Sequence, residues 1–540
     1  MCRTDINIIN FKEKFPEIKR SLEDARFISF DLEFSALYPL KEYSPSIFDT
    51  PSERYRKLRK IMEHVVPIQI GITAFTCDLT DNCFRGKIYN FYLLPPSFPT
   101  IHKNFLFDPG AVKFLAFHGF DFNQFASVGL PFLSSPEEET LRKKLKQGTI
   151  TNDVAESKLE LNSLFFEVRK KVREWYKVAK HGDKLSLPEI YDKFWNSYEM
   201  LYFIHKRFRC KFSKVWTFVD EKNKDFVLQK LTVEECAKLE ASQNLEEELI
   251  SQLLGFTRVF RLLVSLKKPI VGHNCFQDLF LMVHSFDSPL PSSYSCFKKR
   301  MNQLFPIIFD TKHISRAIKL EVPLRKRWHD KGLDFLYRFF SQDVGRFLVY
   351  DVPKLEHANN GYVEKYHEAG WDSYCTGYIF LCMAFWALNR NYSGLRPFVS
   401  PHLIQALEEF KNKINVIRCS VHCVKLDGDD PKPIKPPFLV LQSNIKRNLS
   451  IYQVSNMLSG LGFFEIRTFP FHRGRYLIAT DNDQTARKIH EEFLGDEEFT
   501  ITEYSWWQHS VGANVCKFTG VVATSFLLVL VADTLITKYR

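Results

Sequence analysis

The sequence predicts an α/β protein with a mixed sheet flanked by helices, an inserted α-rich domain, a small C-terminal βαββαβ domain and one C-terminal transmembrane helix. Strand-like runs alternate with helical periods on both sides of a segment rich in Lys and Glu, and residues 518–532 carry no charge. With 540 residues, 51 Phe and 45% hydrophobic residues, the chain can bury several cores. This composition excludes global disorder.

The α/β domain is predicted to be discontinuous, over residues 1–150 and 251–400. Apolar strand-like runs bounded by Pro and polar turns define it: RFISFDLEF (26–34), PIQIGITAF (67–75), IYNFYLL (88–94), PIVGHN (269–274) and PIIFDT (306–311). A helix is expected over Ser373 to Leu388. The helical period of residues 151–250 predicts a mostly helical insertion between the two halves.

A small domain follows a proline-rich linker at Pro431 to Pro437. We predict it over residues 413–508, and its βαββαβ order is the plan of RNA-recognition domains. Its third strand, in HRGRYLIAT, places Arg475 and Leu477 where such a domain presents aromatic side chains for base stacking. The pattern therefore favours a scaffold over an RNA reader.

The last residues predict a membrane anchor at 515–537. A core helix of a globular domain would show a polar stripe, and FTGVVATSFLLVLVA (518–532) shows none. The apolar tendency continues to Ile536 across Asp533. An anchor here would leave the catalytic part in the cytosol. Its short length and the basic end at Lys538 and Arg540 favour the mitochondrial outer membrane over the endoplasmic reticulum.

The net charge of +11 favours a polyanionic partner, because the basic residues come in clusters. The alternative for any one cluster is a solvated helix face. The clusters are Arg54 to Lys60, Arg142 to Lys146, Arg169 to Arg173, Lys206 to Arg209, Lys298 to Arg300 and Arg325 to Arg327. The N-terminus MCRTDIN and the absence of CxxC pairs give no sign of a secreted disulfide framework.

Three stretches carry the candidate chemistry. In FDLEF, Asp31 and Glu33 share one strand face, and a cation between them or a solvated edge strand would explain the pair. In VGHNCFQDL, a helix capped by Asn274 would place Asp278 in its first turn. In HEAGWDS (367–373), one continuous helix would set His367 and Asp372 about 140° apart, so we predict a loop carrying His367 and a helix starting near Gly370.

Four carboxylates with an adjacent histidine form an oxygen-rich cage that suits two hard cations such as Mg²⁺. Two such ions promote phosphodiester hydrolysis, and a histidine with a pKa near neutrality is a suitable general base. The metal ligands are predicted to be Asp31, Glu33, Asp278 and Asp372, with His367 as the base.

The chain resembles the DEDDh 3′-to-5′ exonucleases, which have a ribonuclease-H-like fold, and within them the poly(A)-specific ribonuclease group. The stretches that carry the resemblance are FDLEF (30–34), FDTPSERYRKLRK (48–60), GFDFNQFASVGLPFL (119–133), VGHNCFQDL (271–279), FPIIFDTK (305–312) and HEAGWDSYCTG (367–377). The resemblance implies the same ligands and base. The tyrosine branch has its base four residues before the last Asp, where Glu368 stands, so the histidine branch fits. Asp310 matches a family position with a supporting or helix-capping role.

The resemblance implies an Mg²⁺-dependent 3′-to-5′ exoribonuclease acting on single-stranded RNA, with Mn²⁺ as a substitute ion. It is strongest to the membrane-anchored member that trims the 3′ ends of piRNA precursors held by a PIWI protein, which implies a Tudor-domain adaptor as a further partner. The alternatives are a poly(A) deadenylase and a non-catalytic, membrane-tethered RNA-binding scaffold. The insertion shows only a reversed His205-to-Arg209 version of the family's single-strand-binding signature. The sequence leaves homodimerisation and the role of Glu368 open.

Overall fold

The fold is taken from a computed structural model of the chain. It describes all residues except 1–4, 79–82, 99–100, 102, 148–149, 151–158, 196, 221, 323–327, 329–331, 348–353, 360–363, 392–399, 434–435, 446–448, 470–473, 510–514, 517–518, 520–522, 526 and 529–540. The basic cluster Arg325 to Arg327 and most of the predicted anchor at 515–537 lie outside the described residues. Residues 1–44, 55–415 and 423–430 form one compact unit, and residues 45–54, 416–422 and 431–540 form another.

The first unit contains the predicted mixed sheet and its helices. Its elements before the insertion are β1 (Asp5–Ile6), α1 (Phe11–Asp24), β2 (Phe27–Phe34), α2 (Pro51–Met62, whose first residues belong to the second unit), β3 (Pro67–Asp78), β4 (Cys83–Tyr92), α3 (Pro109–Phe117), α4 (Phe122–Val128) and α5 (Ser135–Lys146).

The insertion contains α6 (Leu159–Val178), β5 (Lys184–Ser186), α7 (Pro188–Phe194), α8 (Tyr198–Lys211), β6 (Val215–Asp220), β7 (Asp225–Lys230), α9 (Val233–Ser242) and α10 (Leu245–Leu254). After it come α11 (Phe256–Leu266), β8 (Ile270–Gly272), α12 (Phe276–Met282), α13 (Tyr294–Leu304), β9 (Ile308–Asp310), α14 (Thr311–Glu321), α15 (Leu333–Ser341), β10 (Lys354–His357), α16 (Ala369–Asn391), α17 (Ser400–Ala406), β11 (Lys413–Asn415) and β12 (Cys423–Lys425).

Strand β2 lies in the middle of the main sheet. The strand order is β1-β4-β3-β2-β8-β9, and β10 pairs with β4. β2 runs antiparallel to β3 and parallel to β8. The alternative of a solvated edge strand for FDLEF is therefore wrong, and the carboxylates of β2 lie within a sheet that is covered by helices.

Helix α16 covers the central strands and extends the predicted helix at both ends. It is apolar nearly all round, as expected of a helix buried on every side. Trp371, Phe380 and Met383 have no exposed surface. Ser29 Oγ donates to the Ser373 carbonyl at 2.6 Å, and Thr73 Oγ1 lies 2.7 Å from Ser373 Oγ. These contacts place the first turn of α16 over β2 and β3.

The insertion has its own core and a three-stranded antiparallel sheet, β5-β7-β6, which the helical period did not predict. His205 and Arg209 of α8 both bind Thr217 on β6: His205 Nδ1 is 2.7 Å and Arg209 Nε 3.0 Å from its Oγ1. Arg209 also stacks on the Trp216 ring at 3.5 Å. The reversed signature is thus part of the packing between helix and sheet.

His205 makes the insertion sensitive to acid. Burial, and then the charge of Arg209, lowers its pKa from 6.5 to about 3. Because the folded pKa is depressed, the unfolded chain binds the extra proton below pH 6.5, and the stability present above that pH is lost as pH falls. We expect about 2 kcal/mol of lost stability between pH 7 and pH 5. Denaturant unfolding followed by tryptophan fluorescence measures the loss, and an equal loss in His205→Gln would contradict this assignment.

The second unit contains the predicted βαββαβ order. Its elements are β13 (Leu439–Ser443), α18 (Ile451–Met457), β14 (Phe464–Thr468), β15 (Arg475–Thr480), α19 (Asp483–Glu492), β16 (Phe499–Glu503) and α20 (Trp506–His509). The sheet order is β14-β15-β13-β16. In the part of the chain that the structure describes, no helix has the length and apolar character needed to cross a membrane.

Candidate metal and catalytic site

The structure brings the predicted carboxylates together. Asp31 and Glu33 project from the same face of β2, Asp278 lies in the first turn of α12 and Asp372 in the first turn of α16. Carboxylate oxygens of Asp31, Glu33 and Asp372 lie within 4.8 Å of one another. Asp278 is not in this group, but its charge contributes to the raised pKa values of Asp31 and Glu33. Asp31 and Glu33 are half-buried, whereas Asp278 and Asp372 are each 8% exposed.

The carboxylates raise one another's pKa values. Burial, followed by repulsion from Asp372 and Asp278, raises the pKa values of Asp31 and Glu33 well above their usual range. Burial raises the pKa of Asp278 to about 7 and that of Asp372 to about 8. In the part of the chain that the structure describes, no cationic side chain offsets this repulsion. The ionised cluster is therefore electrostatically unfavourable.

The cluster fits a divalent cation. Asp372 Oδ2 accepts the main-chain N–H of His367 at 3.2 Å, whereas its Oδ1 is buried and has no hydrogen-bond partner in the described part of the chain. A buried oxygen without a partner is costly unless something binds it. Hard carboxylate oxygens are the ligands that Mg²⁺ and Mn²⁺ prefer.

His367 lies on a loop before α16, as predicted. Its φ of 61° is in the left-handed region, which bends the chain so that its N–H reaches Asp372. The ring centroids of His367 and His118 are 4.0 Å apart, and Phe114 lies at 4.8 Å. Burial, and then the charge of His118, lowers the pKa of His367. Sequence reasoning missed His118, which lies about 250 residues away in the chain.

Asp310 has the helix-capping role that was expected of it. Its carboxylate accepts hydrogen bonds from the main-chain N–H groups of Asn274 at 2.9 Å, Lys312 at 2.9 Å and Asn415 at 3.0 Å. The predicted capping by Asn274 is wrong, because the residue before α12 is Cys275 and Asn274 has a φ of 54°. Asp310 caps α14 and fixes the turn before α12, which sets the position of Asp278.

Two buried amides that sequence reasoning missed hold the start of α16. Gln69 Oε1 accepts the N–H of Ala369 at 3.0 Å, and Asn90 Oδ1 accepts that of Gly370 at 3.2 Å. Asn90 Nδ2 in turn donates to Asp5 Oδ1 at 2.9 Å. These side chains satisfy helix N–H groups that have no partner within the helix. They therefore fix the turn that carries Asp372.

Asn90→Ala tests this support. It removes the acceptor of the Gly370 N–H and one of the partners of the Asp5 carboxyl, and a buried polar group left unpaired costs about 1–3 kcal/mol. We expect lower stability together with a lower kcat at nearly unchanged KM, because the change acts on the geometry of Asp372. Denaturant unfolding and steady-state kinetics measure both quantities. An unchanged kcat in a variant with reduced stability would show that Asn90 supports only the fold.

Glu368 lies at the same turn. Its main-chain carbonyl accepts the N–H of Asp372 at 3.0 Å, and its side chain lies 3.7 Å from the Lys365 ammonium. Asp334, in the first turn of α15, acts on the site through its charge, which contributes to the raised pKa of Asp372. Asp334 was not predicted, because nothing in its local sequence marks it.

Comparisons with known proteins show the family of the chain. The model of the CAF1 family ribonucleases matches residues 6–380. The chain is 31% identical to the pre-piRNA 3′-exonuclease trimmer of Bombyx mori, over 97% of each chain. It is 27% identical to the poly(A)-specific ribonuclease PNLDC1 of Mus musculus, over 94% of each chain, and 30% identical to the poly(A)-specific ribonuclease PARN of Homo sapiens, over 78% of this chain and 68% of that relative.

The mixed sheet and the acidic cluster on it define a ribonuclease-H-like exonuclease domain. The chain belongs to the CAF1 family of ribonucleases. The predicted enzyme class, a 3′-to-5′ exoribonuclease, is confirmed.

Proposed function

We propose that the chain is an Mg²⁺-dependent 3′-to-5′ exoribonuclease that trims the 3′ ends of piRNA precursors while a PIWI protein holds them. The main support for this substrate is the match to the pre-piRNA 3′-exonuclease trimmer along 97% of both chains. A match of this length includes the C-terminal unit. The acidic cluster on β2, α12 and α16 supports the chemistry.

Asp31, Glu33, Asp278 and Asp372 would hold two Mg²⁺ ions, with Mn²⁺ as a substitute. Bound ions would neutralise charge on the terminal phosphodiester and lower the pKa of water. His367 accepts the proton of the attacking water. Burial beside His118 lowers its pKa and keeps the ring neutral near pH 7, as a general base must be.

We assign the 515–537 segment to a membrane anchor, with the mitochondrial outer membrane as its site and a Tudor-domain adaptor as the partner that delivers RNA.

The βαββαβ order and the sheet order β14-β15-β13-β16 support an RNA-recognition type of fold for the C-terminal domain. The charged groups of Arg169 and Arg173 on α6 and of Arg207 and Lys211 on α8 converge, which supports contact with an RNA backbone.

A trimming assay with the purified chain tests the substrate. We expect a mixed-sequence 3′ end to be shortened at least as fast as an A-tail of equal length, and faster when a PIWI protein holds the RNA. A terminal 2′-O-methyl group should block shortening, because it alters the 3′-terminal ribose. Equal rates with free and PIWI-bound RNA would contradict the proposed partner.

The second candidate function is a poly(A) deadenylase. The match to PARN over 78% of this chain favours it, but His205 and Arg209 are both engaged in the packing of the insertion. A strong preference for the A-tail in the same assay would establish this alternative. A non-catalytic scaffold would bind RNA and give no Mg²⁺-dependent product.

A further inference from the structure

One face of the C-terminal sheet lies away from the domain core, and part of it is covered by residues 46–49 of the same chain. The strands of this sheet alternate: Tyr476 and Ile478 face the domain core, whereas Leu477 and Ala479 face the other way. On that second face Ile47 and Phe48 pack with Leu477, Ala479 and Phe438, and Ile47 is 1% exposed.

Polar side chains of β14 hold the segment in register. Glu465 accepts hydrogen bonds from Ser46 Oγ at 2.5 Å and from the N–H of Ile47 at 3.0 Å. Arg467 donates to Ser46 Oγ at 3.1 Å, lies 3.7 Å from Asp49 and stacks over the Phe48 ring at 4.4 Å. Glu465 and Arg467 thus both have partners in residues 46–49.

A second set of contacts fixes the far end of the segment. Asp49 is buried and pairs with Arg54 at 3.1 Å, and its carbonyl accepts the N–H of Ser420 at 2.8 Å. Arg54 Nη1 donates to the Ile417 carbonyl at 2.8 Å, and Nη2 to that of Arg418. Loss of either partner of the buried Asp49–Arg54 ion pair would leave an unpaired buried charge and strongly destabilise the fold. The pair therefore indicates a permanent contact.

We infer that this sheet face is the binding site for segment 45–54 and is not a platform for RNA bases. Stacking on a sheet needs exposed aromatic rings. Here the apolar part of the face is filled by Ile47 and Phe48, and Arg475, at a position for a stacking ring, donates to Gln442 at 2.9 Å instead. The C-terminal domain therefore holds residues 45–54 against its sheet.

Two arginines of the same sheet face make the matched test, because Arg467 contacts the segment and Arg475 does not. In the full chain we expect Arg467→Ala to raise the rate of amide hydrogen exchange in residues 45–54 about tenfold, and Phe48→Ala to raise it more. Arg475→Ala should leave both this exchange and the affinity for single-stranded RNA unchanged. In the wild type, 4-thiouridine RNA should give no cross-links to β13 or β15.

Three results would overturn the inference. They are cross-links on β13 or β15 in the wild type, a loss of RNA affinity of about tenfold in Arg475→Ala, or unchanged exchange of 45–54 in both Phe48→Ala and Arg467→Ala. The cross-linking uses the unmodified chain, so it is decisive even where Phe48→Ala fails to fold. None of these readouts depends on which RNA the enzyme trims.

Discussion

Asp372→Asn is expected to lower the Mg²⁺-dependent trimming rate about 10³-fold while raising the melting temperature of the metal-free protein. The rate falls because a neutral amide binds a hard cation poorly, and a metal ion contributes several kcal/mol to catalysis. The melting temperature rises because the substitution removes repulsion with Asp31 and Glu33, whose pKa values burial and Asp372 raise. Asn has nearly the same volume, so the packing of α16 is kept.

Single-turnover trimming of a 5′-labelled RNA and melting curves in EDTA measure the two effects. Asp334→Asn is the matched control, because Asp334 also repels Asp372 but is not one of the four carboxylates assigned as metal ligands. The control should trim at close to the wild-type rate. A near wild-type rate in Asp372→Asn would show that Asp372 is not a metal ligand. A lower melting temperature in EDTA would show that its charge does not destabilise the metal-free cluster.

Gly71→Ala is expected to reduce both folding stability and activity. Gly71 pairs with Asp31 across β2 and β3. A Cβ at this glycine would lie 1.7 Å from the carbonyl oxygen of Ala369 and 2.4 Å from the nitrogen of Gly370, which are main-chain atoms that cannot rotate away. Overpacking of this kind costs about 1–3 kcal/mol or more. The start of α16 must shift, and a shift of about 1 Å in a catalytic group costs on the order of 10²-fold in rate.

Gly428→Ala is the matched control for Gly71→Ala. A Cβ at Gly428 would meet the Lys425 side chain at 3.5 Å, an ordinary contact with a movable group. We expect stability within about 0.5 kcal/mol of the wild type and unchanged kcat. Equal behaviour of the two variants, in denaturant unfolding and steady-state kinetics, would exclude close packing of α16 on β3 as the reason for glycine at 71.

Local periodicity made much of the site predictable. Alternation in FDLEF set Asp31 and Glu33 on one face, and the glycine in HEAGWDS indicated the loop and helix that carry His367 and Asp372. The same alternation could not tell a central strand from an edge strand. That distinction depends on pairing with β8, which is about 240 residues away in the chain.

The supports of the site were not predictable, because their partners are distant in sequence. Gln69 and Asn90 cap α16 across about 300 residues, and Asp310 replaces Asn274 as the group that fixes the turn before α12. Such polar side chains look like ordinary strand or loop residues when read locally. In the sequence of segment 45–54, nothing indicated the sheet face that it contacts.

The most direct test of the proposed site is trimming by the wild type and by the double variant Asp31→Ala, Glu33→Ala. With 5′-labelled RNA and Mg²⁺, we predict a ladder that shortens from the 3′ end in the wild type. We predict no shortening in EDTA or in the variant, whose circular dichroism should match that of the wild type. Trimming by the variant at the wild-type rate would contradict the assignment of these carboxylates as the catalytic metal site.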